Sequence, residues 1–261
     1  MLRTRLCDLL GIDVPIILAG MGAGATSAEF AAVVSNQGGA GSVGSLFRAT
    51  DAVKRDIDLL PTLTNRNFAI NHIPQTLDAD AFRHTLRARP TVISFALDDP
   101  GDLIRQAHDV GSLVMLQVTT VGQAIQAAER GVDVIIAQGS EAGGYTGTIS
   151  TMVLVPQVVD AVSPIPVVAA GGIYDGRGIA AAFMLGAVGV NIGTRFWHPK
   201  KPPLTTIGSK RSSRPTPRTR LKQRSSTTSF RCQAPSDTAP PGEHTCRSTG
   251  LSSTRFSLRN P

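Results

Sequence analysis

The stretch DVIIAQGSEAGGYTG, residues 133–147, joins an apolar run to a polar segment that contains four glycines and one acid. The apolar half shows no alternation with polar residues, which is typical of a parallel strand buried on both faces. The glycines after it allow backbone amides to approach a ligand closely, where a Cβ atom would intrude. The pattern predicts a ligand-binding loop after a buried strand, since a tight turn would account for only one or two of the glycines.

Similar apolar runs recur along residues 1–196, and helix-compatible segments lie between them. Together with 133–139, the predicted strands are 14–20, 39–44, 67–72, 91–97, 113–118, 165–172 and 189–196. The clearest helical segments are 27–38, 99–111, 120–131 and 175–186, and each ends in a glycine suited to a left-handed C-cap. This alternation predicts an α/β fold, a (β/α)8 TIM-type barrel. A doubly wound open sheet is also permitted, but eight regular units favour the barrel.

Glycines also follow the predicted strands one, seven and eight. In a barrel of this type the C-terminal ends of the strands carry the chemistry. A phosphate cradle is predicted from the amides of Gly171, Gly172, Gly193 and Thr194, the Thr194 hydroxyl and the N-terminus of the following helix. We expect a phosphate-bearing ligand, although the cradle does not identify it.

Taken in order, these segments resemble the nitronate monooxygenase family of FMN-dependent barrel flavoproteins. The resemblance covers about residues 6–196 and rests on motifs such as PIILAGM, SNQGGAGSVGS, GVDVIIAQGSEAGG, IPVVAAGGIYDGRG and GVNIGTRF. It implies that FMN lies across the barrel mouth. The residues it implies for flavin binding are Met21, Asn71, Gln138, Gly143, Gly144, Gly171, Gly172, Asn191, Ile192, Gly193 and Thr194. Gly20 stands where the family commonly has proline, a change expected to loosen the loop.

The family's reaction begins with loss of the proton next to a nitro group, or with a nitronate that has already lost it, and molecular oxygen completes the oxidation. The family's base is a histidine directly after EAGG, where this chain has Tyr145. Phenols titrate near ~10 and imidazoles near ~6.5, so Tyr145 is poorly suited to act as a base. It is expected to donate a hydrogen bond to the substrate or to form an aromatic wall.

Two other residues are candidates for the missing base. His72 follows Asn71 at the end of strand three and is expected to point into the barrel mouth, so it is a candidate catalytic residue, with a solvated loop histidine as the alternative. Glu141 is a candidate too, although a carboxylate beside glycines more often fixes a loop through backbone amides.

The composition indicates the kind of compartment and partners to expect for the protein. Three cysteines without a CxxC spacing indicate neither a disulfide framework nor a metal site. No apolar stretch reaches the ~18 residues of a membrane span, and no signal-peptide pattern is present. We expect a cytoplasmic enzyme with a small-molecule substrate, a nitronate or nitroalkane, and without a membrane partner.

The last 65 residues differ sharply from the rest. Residues 197–261 hold 13 Lys and Arg against 2 Asp and Glu, a formal charge of +11, and 30 of them are Ser, Thr or Pro. Such a composition is typical of a disordered segment. One inserted base after the Phe196 codon restores, for one choice of synonymous codons, a family-like continuation. The segment is therefore predicted to be an out-of-frame tail that leaves the C-terminal closure of the barrel incomplete, rather than a specific nucleic-acid-binding arm.

Two other functions remain open from the sequence. One is a flavin-dependent enoyl-acyl-carrier-protein reductase, which shares the EAGG loop and would use a reduced nicotinamide. The other is a defective barrel that binds flavin weakly or not at all.

Overall fold

Eight parallel strands and eight helices alternate in the computed structural model, which describes residues 3–196. The order is that of a (β/α)8 barrel, so the predicted fold is confirmed. The predictions for residues 197–261 lie outside the described residues.

The strands fall where the apolar runs predicted them. They are β1 (Ile16–Leu18), β2 (Gly41–Gly44), β3 (Phe68–His72), β4 (Val92–Phe95), β5 (Leu113–Val118), β6 (Val134–Gln138), β7 (Val167–Ala170) and β8 (Gly189–Ile192). Nearly all of their residues are buried, as expected for strands covered on both faces.

The helices lie outside the strands, apart from the first one. They are α1 (Arg5–Leu10), α2 (Ala28–Asn36), α3 (Thr50–Leu63), α4 (Ala79–Ala88), α5 (Leu103–Asp109), α6 (Val121–Glu129), α7 (Thr151–Val162) and α8 (Gly176–Met184). The four predicted terminal glycines, Gly38, Gly111, Gly131 and Gly186, all have positive φ, between 81° and 91°. Because that conformation strains other residues, these glycines explain where the helical segments stop.

The barrel closes through β8, which pairs with β1 from Ile16 opposite Val190 to Leu18 opposite Ile192. The strand pairing is weakest between β1 and β2, where a single bridge joins Ile17 to Ala40 and leaves a thin seam. The short β1 and the late start of β2 account for this seam. The incomplete C-terminal closure predicted from the sequence concerns the region after β8, which lies outside the described residues.

Apolar side chains fill two layers. Inside the barrel, Ile17, Met115, Ile136 and Val168 pack with Leu6 of α1. Helix α1 thereby covers the end of the barrel opposite the C-terminal strand ends. A larger cluster lies between the strands and the outer helices. These two layers hold the strand ends rigidly around one opening.

Candidate active site

A cavity of about 1070 Å³ opens at the C-terminal ends of the strands. This main cavity receives residues from all eight strands or from the segments that follow them. Its volume reaches the upper end of the ~300–1,000 Å³ usual for cofactor and ligand sites. Its ionisable lining groups are Glu141, Tyr145, Tyr174 and Arg195.

The sequence-predicted flavin residues come together in this cavity. The lining includes Met21, Asn71, Gln138, Gly143, Gly144, Gly171, Gly172, Asn191, Ile192, Gly193 and Thr194. Tyr145 also lines it, on the loop after β6. The structure thus brings together every predicted site residue except His72.

Three glycine amides on neighbouring strand ends form the predicted cradle. Within residues 3–196, the amides of Gly171, Gly172 and Gly193 donate to no internal acceptor. Gly171 and Gly172 have φ of 112° and 67°, and a Cβ on Gly171 would lie 2.7 Å from Thr151 Oγ1. Free amides held in a conformation that favours glycine are suited to binding an anion such as a phosphate.

The helix after β7 has an N-terminal cap of its own. At the start of α8, the Asp175 carboxylate accepts hydrogen bonds from the amides of Arg177, at 3.0 Å, and Gly178, at 3.4 Å. The N-terminal charge of this helix is therefore partly neutralised. These two amides are already occupied and do not add to the cradle.

Glu141 fixes the loop after β6. Its Oε2 accepts hydrogen bonds from the Thr151 amide, at 2.8 Å, and from the Thr151 hydroxyl, at 2.9 Å. Burial alone would raise the pKa of Glu141, but these hydrogen bonds outweigh it and lower the pKa below the ordinary value. A carboxylate held ionised by the start of α7 is a poor proton acceptor, so the structure supports the loop-fixing role.

His72 lies outside the main cavity. Successive side chains of a strand point to opposite faces, and Asn71 of β3 faces the cavity, so His72 faces α4. There its ring is 1% exposed, packs edge-on against Phe82 and bonds through Nε2 to Thr85 Oγ1 at 2.9 Å. The prediction that His72 points into the barrel mouth was wrong.

Tyr145 and Tyr174 stand on the rim of the cavity, with side chains 62% and 65% exposed. The Arg195 guanidinium lies 4.4 Å from the centre of the Tyr174 ring, a distance suited to a cation–π contact. Arg195 forms no ion pair with a carboxylate among residues 3–196. Arg195 therefore adds to the cavity lining a positive charge that has no carboxylate partner within residues 3–196.

Amide side chains form the polar floor of the cavity. Asn71 donates to Ser94 Oγ at 3.0 Å, and Gln117 donates to Gln138 Oε1 at 2.9 Å. Ser42, on β2, also lines the cavity, and its buried hydroxyl has no partner in the described part of the chain. An unpartnered buried hydroxyl is costly unless a ligand satisfies it, so Ser42 joins the candidate site.

Thr26 is a further residue that the sequence did not reveal. Its hydroxyl bonds to the Met21 carbonyl and accepts from the amides of Met21 and Gly44, each at 3.0 Å. These bonds fix the loop after β1 to the end of β2. No sequence motif distinguishes this threonine from others in loops.

Gly20 lies in close contact with Asn71. A Cβ at this position would lie 2.3 Å from the Asn71 Cβ. Since real Cβ atoms do not approach so closely, any larger residue would displace Asn71 from the cavity floor.

The fold and the cavity define the class of (β/α)8 barrel enzymes with the site at the C-terminal strand ends. The chain belongs to the nitronate monooxygenase family, whose model matches residues 3–87 and 77–236. The second segment runs into the stretch predicted to be out of frame, so the family match does not confirm that prediction. Relatives of this chain are named as oxidoreductases, which is the enzyme class predicted from the sequence.

Curated relatives carry two kinds of names. A probable nitronate monooxygenase of Staphylococcus saprophyticus is 35% identical over 75% of this chain and 68% of its own length. The (3aS,4S,5R,7aS)-5-hydroxy-7a-methyl-1-oxo-octahydro-1H-indene-4-carboxyl-CoA dehydrogenase of Mycobacterium tuberculosis is 39% identical over 75% of this chain. This chain spans only 56% of that enzyme.

The solved structures that resemble this chain also differ in name. FabK from Thermotoga maritima has a TM-score of 0.71 at 39% identity, covering 75% of this chain and 63% of that one. A nitroalkane oxidase from Streptomyces ansochromogenes has a TM-score of 0.65 at 29% identity, covering 74% and 67%. The family is thereby established, and the substrate is left open.

Residues 3–196 lack a membrane-spanning helix and a metal-binding cluster. No helix there is long and apolar enough to cross a membrane. The same residues contain no cluster of His, Cys, Asp or Glu that would hold a metal ion.

Proposed function

We propose that this chain is an FMN-dependent oxidoreductase that oxidises nitronates, with molecular oxygen as the oxidant. The observation that carries the proposal is the set of three free glycine amides, at positions 171, 172 and 193, facing one large cavity. They fit the phosphate of a flavin nucleotide, and Arg195 adds a positive charge beside them.

The rest of the cavity fits the remainder of FMN. Asn71, Gln138 and the unpartnered Ser42 hydroxyl offer hydrogen-bonding groups on the cavity floor, beneath an opening bounded by Gly143 and Gly144. When bound, the flavin supplies the electron-accepting chemistry of the reaction. The test is whether the purified full-length chain is yellow and consumes oxygen with a nitronate.

The residues at the cavity favour a substrate that has already lost its proton. Among residues 3–196, no histidine lines the cavity, the Glu141 carboxylate accepts hydrogen bonds from Thr151, and His72 is buried behind β3. A nitronate needs no base, and the role that we propose for the Tyr145 hydroxyl is to donate a hydrogen bond to the nitronate oxygens. We infer that neutral nitroalkanes react slowly with this chain because proton removal is not assisted.

Replacing Tyr145 with histidine should restore that assistance. In Tyr145→His we expect turnover of nitroethane to rise at least about tenfold relative to turnover of its nitronate, because positioned bases contribute ~100-fold or more. Oxygen consumption by flavin-loaded protein measures both rates. Tyr174→His makes the same change elsewhere on the rim and should leave the ratio near its original value. An unchanged ratio in folded, flavin-loaded Tyr145→His would refute the role of this position.

A second candidate is reduction of an enoyl thioester with a reduced nicotinamide. The 39% identity to FabK and to a CoA-thioester dehydrogenase supports it as a specific alternative. Anaerobic bleaching of the flavin by NADH or NADPH, followed by reoxidation with an enoyl thioester, would favour this function. No bleaching, together with rapid oxygen consumption on a nitronate, would favour nitronate oxidation.

The third candidate, a defective barrel, depends on the prediction for residues 197–261. A colourless chain that gains colour and a higher Tm after the inferred reading frame is restored would support it. A yellow, active chain with residues 197–261 unchanged would exclude it.

A further inference from the structure

A second, smaller cavity of about 270 Å³ lies beside the main one. This side cavity is bounded by β5, α6 and the segment after β4. Leu97, Gln117 and Tyr145 line both cavities and therefore form the partition between them. The side cavity therefore opens toward a substrate in the main cavity beside Tyr145, which stands where the family has histidine.

The partition is built from an unusual backbone conformation. Leu97 has φ of 73°, in the left-handed region that is strained for a non-glycine residue. Gln117 is held by its hydrogen bond to Gln138, which leaves its own Oε1 without a donor among residues 3–196. Strain of this kind persists only where the surroundings impose it, and here it places a leucine side chain at the mouth of the side cavity.

The lining of the side cavity combines an apolar surface with two carboxylates. Leu116, Val118 and Ala127 supply the apolar surface. Asp99 is neutralised by Arg130 at 2.6 Å and accepts the Gly101 amide at 2.9 Å. Asp98 accepts only the Asp99 amide, at 2.8 Å, and forms no ion pair within the described chain. The cavity therefore carries one uncompensated negative charge.

We propose that the side cavity is a substrate subsite. It takes the carbon chain of a nitronate or nitroalkane and prefers a chain that ends in a hydroxyl group over one that ends in a carboxylate. The inference rests on the proposed function, which places the nitro group in the main cavity. The apolar walls bind the methylene groups, Asp98 accepts a hydrogen bond from a terminal hydroxyl, and the same carboxylate repels a terminal carboxylate.

Calorimetric binding of 5-nitropentan-1-ol and 5-nitropentanoate to the full chain tests this preference. We expect the alcohol to bind about fivefold more tightly than the carboxylate at low salt, and the difference to shrink at high salt. Asp98→Asn should reduce the ratio to below about twofold, because it removes the charge and keeps an acceptor. Asp102→Asn makes the same charge change outside both cavities and should keep the original ratio. Equal affinities in the unaltered chain, or an undiminished ratio in Asp98→Asn, would overturn the proposal.

A bulky residue at the side cavity provides an independent test. Gln126→Trp should weaken binding of the five-carbon alcohol about tenfold relative to nitroethane, which is too short to need the subsite. An unchanged ratio would show that the chain lies elsewhere. Binding does not depend on turnover, so a chain that shows the predicted preference but never oxidises a nitronate would refute the proposed function and retain the subsite.

Discussion

The Gly172→Val chain is expected to bind FMN at least about 100-fold more weakly than the unaltered chain. At φ of 67°, a β-branched residue costs ~1–3 kcal/mol, and its Cβ would stand 3.3 Å from the Glu141 Cβ. Relief of that strain turns the amide of residue 172 away from the cradle. Loss of one charge-assisted hydrogen bond removes a further ~1.5–3 kcal/mol. Together these terms are enough to give a chain that purifies without yellow colour.

Gly176→Ala is the matched control for this prediction. Gly176 is the first residue of α8, its φ is not positive, and a Cβ there would meet nothing within 4 Å. Flavin absorbance per chain and the dissociation constant from fluorescence quenching measure the difference. If folded Gly172→Val still binds flavin stoichiometrically, the cradle is not part of the flavin site. Loss of flavin in Gly176→Ala would instead point to general instability.

The sequence predicts the strands well because parallel strands are apolar on both faces. Runs such as 113–118 and 133–139 coincide with β5 and β6 within one residue at each end. The cavity lining was also predictable, since strand ends meet on one face of a barrel. Only the order of elements is needed to bring Gly143, Gly171 and Gly193 together.

Features that depend on the exact path of the backbone were not predictable. The direction of His72 follows from the position at which β3 meets the cavity, and a shift of one residue reverses it. The roles of Gly20 and Thr26 come from close approaches to Asn71 and Met21. Asp175 follows a glycine pair that resembles a phosphate loop, yet its carboxylate caps α8 itself. Such contacts carry no periodic signal in the sequence.

Below about pH 6.5 the free energy of unfolding should fall because of His72, by roughly 3 kcal/mol as the pH reaches about 4. Burial is the cause: it lowers the pKa of His72 to about 4, from an ordinary value of 6.5, while Asp78 opposes the shift weakly. Between these values the unfolded chain binds a proton that the folded chain does not, so acid favours unfolding. Above pH 6.5 both states are neutral at this residue and the contribution vanishes.

His72→Gln isolates this contribution. Thr85 donates its hydroxyl proton to the Ala81 carbonyl at 3.1 Å, so the His72 Nε2–H is the donor to Thr85, and a glutamine amide can replace it. Urea unfolding followed by circular dichroism at pH 7, 5.5 and 4.5 should show a smaller acid-dependent loss in His72→Gln. His84→Gln makes the same change beside Asp58 on the outer surface and should keep the loss. Parallel pH profiles for His72→Gln and the unaltered chain would mean that the imidazole binds a proton equally well in the folded and unfolded chains, and that its burial behind β3 has no bearing on acid stability.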